Sequence, residues 1–173
     1  EQAGADWPDD YVSEYGEQAL AWIAEVGRRL GRGVLLAFDY GFPAREYYHP
    51  QRSQGTLMCH YRHRAHPDPF LWPGLQDVTA HVDFTAVALK AIDAGLEVLG
   101  YGAQAHFLLN LGLLDRVAAV AAGDPVRQAR AAQQVQRLIG DAEMGELFKV
   151  IALGRGVPDD AAGFARADRR HRL

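Results

Sequence analysis

Between Ser13 and Leu30 the apolar residues Ala19, Trp22, Ile23, Val26 and Leu30 recur every three or four positions, with Glu17, Glu25, Arg28 and Arg29 between them. That period puts one apolar stripe along a helix spanning 13–30. Gly31 and Gly33 supply its stop, and Val34–Phe38 follows as an unbroken apolar run ending at Asp39, Tyr40 and Gly41. Such a run suits a strand covered on both faces, as in a parallel sheet flanked by helices.

From Phe42 to Gln76 neither period is sustained, and proline, histidine and arginine are frequent. The stretch reads as a long loop, and loops of this length inside a compact domain usually carry function. Its aromatic residues Tyr47, Tyr48, Tyr61, Phe70 and Trp72 argue for order. A second helix is predicted over 77–94, capped by Asp77 or Thr79, with Phe84, Val87, Ala88, Ala91 and Ile92 inward and Gly95 at its end. A short strand at 96–99, helices over 103–114 and 115–122, and a helix from Asp124-Pro125 to about Leu138 follow. Leu147–Leu153 reads as a closing strand, and residues 157–173 as a flexible, frayed tail. The alternation of helix and strand points to α/β layering, and so few strands look like half a sheet.

Composition narrows the function. The chain has 173 residues, 49% hydrophobic and 23% charged, the profile of a globular domain. A net charge of −4 and a pI near 6.0 provide no basic field for a nucleic-acid backbone. No apolar run approaches the ~20 residues that span a bilayer. The single cysteine, Cys59, cannot close an internal disulfide, which suits a reducing cytoplasm, and it reads as structural. Residues 1–10 have neither the basic start nor the apolar stretch of a signal peptide, and Glu1 in first place suggests a segment upstream.

Several strings carry a resemblance: Gly33-Val-Leu-Leu-Ala-Phe-Asp-Tyr-Gly41, Gly55-Thr-Leu57 with Tyr61 and His63, Pro73-Gly74, Asp77-Val-Thr-Ala-His-Val-Asp-Phe-Thr85, Gln104-Ala-His-Phe-Leu108 and Met144-Gly-Glu-Leu-Phe-Lys-Val150. In this order, over roughly residues 14–154, they resemble the carboxyl-terminal half of MidA-type S-adenosylmethionine-dependent methyltransferases. The resemblance implies an α/β fold: the C-terminal half of a Rossmann-like class I methyltransferase sheet whose final strand is inserted antiparallel, with a long structured loop and extra helices. Residues 1–156 would form this part of the domain, with 42–76 as a substrate-side insertion. The family includes a mitochondrial complex I assembly factor that methylates an arginine of a partner subunit. A protein substrate, a complex I subunit among the candidates, is implied by that likeness alone, as is a mitochondrial matrix location for eukaryotic relatives.

Such enzymes hold the cofactor on a glycine-rich turn after the first strand. Leu30-Gly-Arg-Gly33 precedes a strand and Gly154-Arg-Gly156 follows the last one, so neither fits. The S-adenosylmethionine site is therefore expected upstream of Glu1, with no cofactor-binding residues here and the isolated chain inactive. A rival reading is a non-catalytic binding or assembly module. An exposed sheet edge left by the missing strands would favour a homodimer.

Asp39 lies at the carboxyl end of the strand, where open α/β sheets bind ligands. Its bland alternative is a loop cap. Asp77 and His81 would share a helix face, so that Asp77 could orient His81, with capping as the alternative for this cluster. A carboxylate can hold a protonated guanidinium in two places, which makes Asp39, Asp77 and Asp83 candidates for a substrate clamp. His63 or His81 would accept a proton. Tyr40, Gly41, Gly55, Thr56 and Thr79 are expected beside them on the substrate side, and Gly41 could supply a turn with positive φ. The spacing of His60, His63 and His66 invites a metal, but Pro67 and Pro69 oppose helical convergence, and no metal is expected.

Overall fold

The computed structural model describes residues 7–173. Helix α1 (Glu17–Arg29) buries Leu20, Ile23 and Gly27. Strand β1 (Gly33–Phe42) leads into the one-turn helix α2 (Ala44–Tyr47). Three short strands, β2 (Met58–Tyr61), β3 (Arg64–His66) and β4 (Asp77–Thr79), form a small separate antiparallel sheet in the order β3-β2-β4. Strand β5 (Val82–Asp83) then leads directly into α3 (Phe84–Asp93). The remainder is β6 (Glu97–Ala103), α4 (Gln104–Asn110), α5 (Leu113–Ala121), α6 (Pro125–Ile139), α7 (Met144–Leu147) and β7 (Phe148–Arg155).

The main sheet has the order β5-β1-β7-β6. β7 is antiparallel to both neighbours, so a late strand is inserted between two strands that run the same way. This is the inverted insertion expected of the methyltransferase sheet. The period-2 rule divides β7 between two cores. Ile151 and Leu153 join Phe84, Val87, Ala91, Leu20 and Ile23 beneath α1 and α3. Val150 and Ala152 join Leu99, Phe107 and Phe164 on the other face. Arg155 links the helix layer to the sheet by donating to the Leu30 carbonyl at 2.8 Å, the Ala94 carbonyl at 2.6 Å and the Gly95 carbonyl at 3.0 Å. These carbonyls lie at the C-terminal ends of α1 and α3, where a cation also meets the helix dipoles.

Four expectations change. The helix predicted over 77–94 begins only at Phe84, because Asp77–Thr79 and Val82–Asp83 are extended and paired. Its cap is Asp83, whose Oδ1 accepts the amides of Thr85 at 3.0 Å and Ala86 at 3.1 Å. The loop 42–76 contains β2 and β3, joined by a tight turn in which Arg62 and His63 both have positive φ. β1 is covered on one face only: Leu35 and Ala37 pack on the core, while Val34, Leu36, Phe38 and Tyr40 are exposed. Finally, residues 157–173 are docked rather than frayed. Phe164 is buried, the Arg169 amide donates to the Tyr101 carbonyl at 2.6 Å, and the Arg170 guanidinium donates to the Val98 carbonyl at 3.0 Å. This segment covers the outer edge of β6. Along β1, by contrast, β5 pairs only with Gly41 and Phe42, which leaves residues 33–40 without a ladder partner on that side among the described residues.

Candidate functional site

The entry to α1, the Tyr47-Tyr48 pair and the β5–α3 junction, which pairs with the carboxyl end of β1, surround a partly open pocket of about 180 Å³. Glu14, Tyr47, Tyr48, His81 and Asp83 line it. Glu14 is fixed by three donors onto Oε1: the Tyr47 hydroxyl at 3.1 Å, the Thr56 amide at 2.8 Å and the Thr56 hydroxyl. Gly55 makes this seat possible. Its φ is +70°, and a Cβ there would collide with Glu14 Oε2. The Thr56 hydroxyl also accepts the His81 amide at 2.8 Å, so one residue ties the N-terminal segment to the strand that carries the histidine.

His81 is half-buried between aromatic rings, 5.1 Å from Phe42 and 6.1 Å from Tyr40. Burial, reinforced by the Arg52 charge, lowers its pKa from 6.5, so the ring is neutral at neutral pH. Its Nδ1 is buried without a partner. Burial holds the Asp83 carboxyl above its ordinary value against the opposing pull of the Ala86 and Thr85 amides. Burial also raises the two tyrosines; Tyr48 is pushed up to about 12, with Asp83 and Glu14 adding to the effect. Neither Glu14 nor Asp83 forms an ion pair among the described residues. The nearby cations are otherwise engaged. Arg52 lies 4.0 Å over the Phe42 ring and donates to the Glu46 carbonyl at 2.8 Å, while Lys149 is buried beside Glu146.

The sequence candidates separate into two groups. His81 and Asp83 line the cavity, Gly55 and Thr56 seat Glu14 beside it, and Tyr40 packs 6.1 Å from His81, whereas Asp39 and Gly41 stand at the carboxyl end of β1 without lining it. Gly41 is extended rather than a positive-φ turn, and its lack of a side chain lets the Val82 carbonyl and the Phe84 ring pack against β1. His63, Asp77 and Thr79 belong to the small sheet and do not line the cavity. His63 sits in the β2–β3 turn, Asp77 is exposed opposite His60, and Thr79 donates to the Met58 carbonyl at 3.1 Å. Asp77 and His81 therefore share no helix face, because neither is helical. Glu14, Tyr47 and Tyr48 were not foreseen. The Tyr-Tyr pair was a visible aromatic signal, whereas Glu14 acquires its partners from positions more than thirty residues away. Among the described residues no group of three or more His, Cys, Asp or Glu is placed to hold a metal ion. No helix among them is long and apolar enough to cross a membrane.

Residues 1–102 match a family described as "putative S-adenosyl-L-methionine-dependent methyltransferase". The chain belongs to this methyltransferase family. It is 32% identical over 132 residues to the mitochondrial protein arginine methyltransferase NDUFAF7 of Danio rerio, covering 76% of this chain and 28% of the relative. The Drosophila melanogaster homologue is 31% identical over 145 residues, covering 82% and 31%. A Burkholderia thailandensis crystal structure bound to S-adenosyl-homocysteine is 53% identical with a TM-score of 0.94, covering 99% of this chain and 44% of that one. The native structure from the same organism matches equally well and is covered over 46% of its length. The chain thus spans less than half of each of these relatives. The methyltransferase family and its α/β fold, with the inverted β7, agree with the reading from sequence.

Among the described residues no strand is followed by a glycine-rich turn: β1 runs into Pro43, β6 into Gln104, and β7 into Gly156-Val157-Pro158. The residues present do not form the main seat of a dinucleotide-like cofactor. They form a pocket with two carboxylates and aromatic walls.

Proposed function

We propose that this chain is the carboxyl-terminal half of an S-adenosylmethionine-dependent protein arginine methyltransferase, with the main cofactor turn on a segment upstream. The observation that carries the reading is the half-built sheet. β1 has an open edge along residues 33–40 and an exposed apolar face, directly beside a carboxylate-lined cavity at the strand's carboxyl end. An upstream strand added to that edge would bring a cofactor over the end of the sheet where open α/β folds bind ligands. The names of the mitochondrial relatives support arginine as the acceptor and a protein as the substrate.

When bound, the cofactor would supply an electrophilic methyl group. This chain's own residues would orient the acceptor nitrogen, exclude water and take the proton that nitrogen loses. Neutral His81 and the carboxylate of Asp83 can both accept a proton. Asp39, whose Oδ1 accepts the Tyr40 amide at 2.8 Å, would offer a further contact from the carboxyl end of β1. His63, Asp77 and Thr79 on the small sheet would contact the substrate away from the reacting atoms. For a bacterial protein the proposed compartment is the cytoplasm.

The glycine-rich turn that is missing among the described residues favours a second reading, a binding or assembly module without catalysis. The two are separated by incubating the full-length gene product with methyl-labelled S-adenosylmethionine and a cell extract, then locating label by peptide mass spectrometry. Label on arginine supports the enzyme. Failure to bind S-adenosyl-homocysteine in calorimetry, together with no transfer, supports the module. Sedimentation of the same protein tests the homodimer expected if the β1 edge stays open.

A further inference from the structure

The partly open pocket does not stand alone. It shares Tyr15, Leu20, Tyr48, Asp83 and Ala86 with a more open groove of about 510 Å³ that continues along α3 to Leu89, Lys90 and Asp93, with Trp7 on its wall. Deep pocket and groove therefore meet at Tyr48 and Asp83. We propose, building on the arginine methyltransferase reading, that the deep pocket receives the guanidinium of the substrate arginine between Glu14 and Asp83, while flanking peptide residues lie in the groove along α3.

Four observations support this assignment. First, the pocket holds two carboxylates that form no ion pair among the described residues, so a charged guest would supply the missing half of an ion pair in a half-buried setting. Glu14 is held rigid by Tyr47 and Thr56, and its Oε2 takes none of those three bonds. Second, the walls are aromatic. Tyr47, Tyr48 and His81 present ring surface on which a planar guanidinium can stack, which a compact ammonium exploits less well. Third, His81 lines the same pocket with a half-buried ring whose lowered pKa leaves it neutral, so it adds no positive charge to repel a guanidinium. Fourth, the groove is apolar along Leu20, Leu89 and Trp7, while Lys90 and Asp93 on α3 could meet charges of either sign beside the arginine. A mostly apolar pocket with two carboxylates and aromatic walls, opening into a groove, can accept one side chain of an extended peptide.

The test uses the full-length protein and steady-state methylation of a peptide with a single arginine, and of the same peptide with lysine in its place. Glu14→Gln and Asp83→Asn keep shape and can keep the Thr56 and α3-amide bonds while removing one charge each. Ala19→Trp fills the pocket from the exposed side of α1. Each variant is expected to raise KM for the arginine peptide tenfold or more, with affinity for S-adenosyl-homocysteine within twofold of wild type. Unchanged KM in all three overturns the pocket assignment and leaves the arginine reading standing. Wild-type transfer to the lysine peptide alone overturns both. Hydrogen exchange on the wild-type protein needs no variant: adding arginine peptide with S-adenosyl-homocysteine should slow exchange over residues 14–20 and 83–90, and protection confined elsewhere refutes the assignment.

Discussion

Replacing Gly55 by alanine separates backbone strain from loss of the Glu14 seat. At φ +70° a Cβ costs about 1 kcal/mol through crowding of the left-handed backbone. The same Cβ meets Glu14 Oε2, so the carboxylate must leave the Tyr47 hydroxyl and the Thr56 amide, while the freely rotating Thr56 hydroxyl can follow it or turn to water. Each of those part-buried bonds is worth roughly 1 kcal/mol net. Gly55→Ala should therefore destabilise the fold by about 3 kcal/mol, the sum of the strain and the two lost bonds. In a Glu14→Ala background there is no carboxylate to displace, and the glycine change should cost only the strain, about 1 kcal/mol. Urea unfolding of full-length wild type, both single variants and the double variant completes the cycle, with an expected coupling of about 2 kcal/mol. Equal cost of Gly55→Ala in the two backgrounds would refute the idea that Gly55 is there to make room for Glu14.

Arg155→Met should cost about 2 kcal/mol in the same unfolding assay, because two part-buried, charge-assisted bonds to helix-end carbonyls are lost, and Arg155→Lys should recover only part of it. Phe164→Ala should cost roughly 3 kcal/mol and speed hydrogen exchange across residues 157–173, since this ring packs 5.1 Å from Phe107 and anchors the segment. His81 makes stability depend on pH. Its folded pKa lies below 6.5, so under mild acid the unfolded chain binds more protons than the folded one, and stability falls as pH drops from about 6.5 through the folded value. A pH series of urea midpoints should show that slope in wild type and a flatter one in His81→Gln.

Long local patterns were legible in the sequence. The helix around Ile23, the run at 34–38, the Asp124-Pro125 start of α6 and the strand after Leu147 all lie where the fold has them, since each carries a local period or cap, although the buried stripe of α1 is Leu20, Ile23 and Gly27 and leaves the expected Trp22 exposed. The segment 77–83 misled because Asp77 and Thr79 are good helix caps, while the residues that hold this stretch extended, Met58 to His60 and Phe42, are distant in sequence. The small sheet has strands of three or four residues, largely exposed, with a turn built on Arg62 and His63 rather than glycine or asparagine. Period and turn chemistry were both silent there. Residues 157–173 look polar, yet a single Phe and a set of arginines paired with Asp159, Asp168 and Glu146 suffice to dock them. Of the residues that line the cavity, His81 and Asp83 were candidates in the sequence, though for a helix that in the fold begins only at Phe84, while Asp39, read from strand-end chemistry, does not line it. Glu14 was not a candidate, since nothing in its neighbourhood marks a carboxylate that will be held by Thr56.

The inverted position of β7 also bears on how the protein is made. β1 and β6 are not joined to each other; both bond to Phe148–Arg155, the strand that leaves the ribosome after every other described strand. Until it emerges, helices α1 and α3 have no Ile151 or Leu153 to pack on, and β1 and β6 present bare edges. The nascent chain must therefore stay soluble through the synthesis of α4 to α7 without a closed sheet. A ribosome stalled before Phe148 should display a protease-sensitive chain, and one stalled far enough past Arg155 to clear the exit tunnel a resistant one.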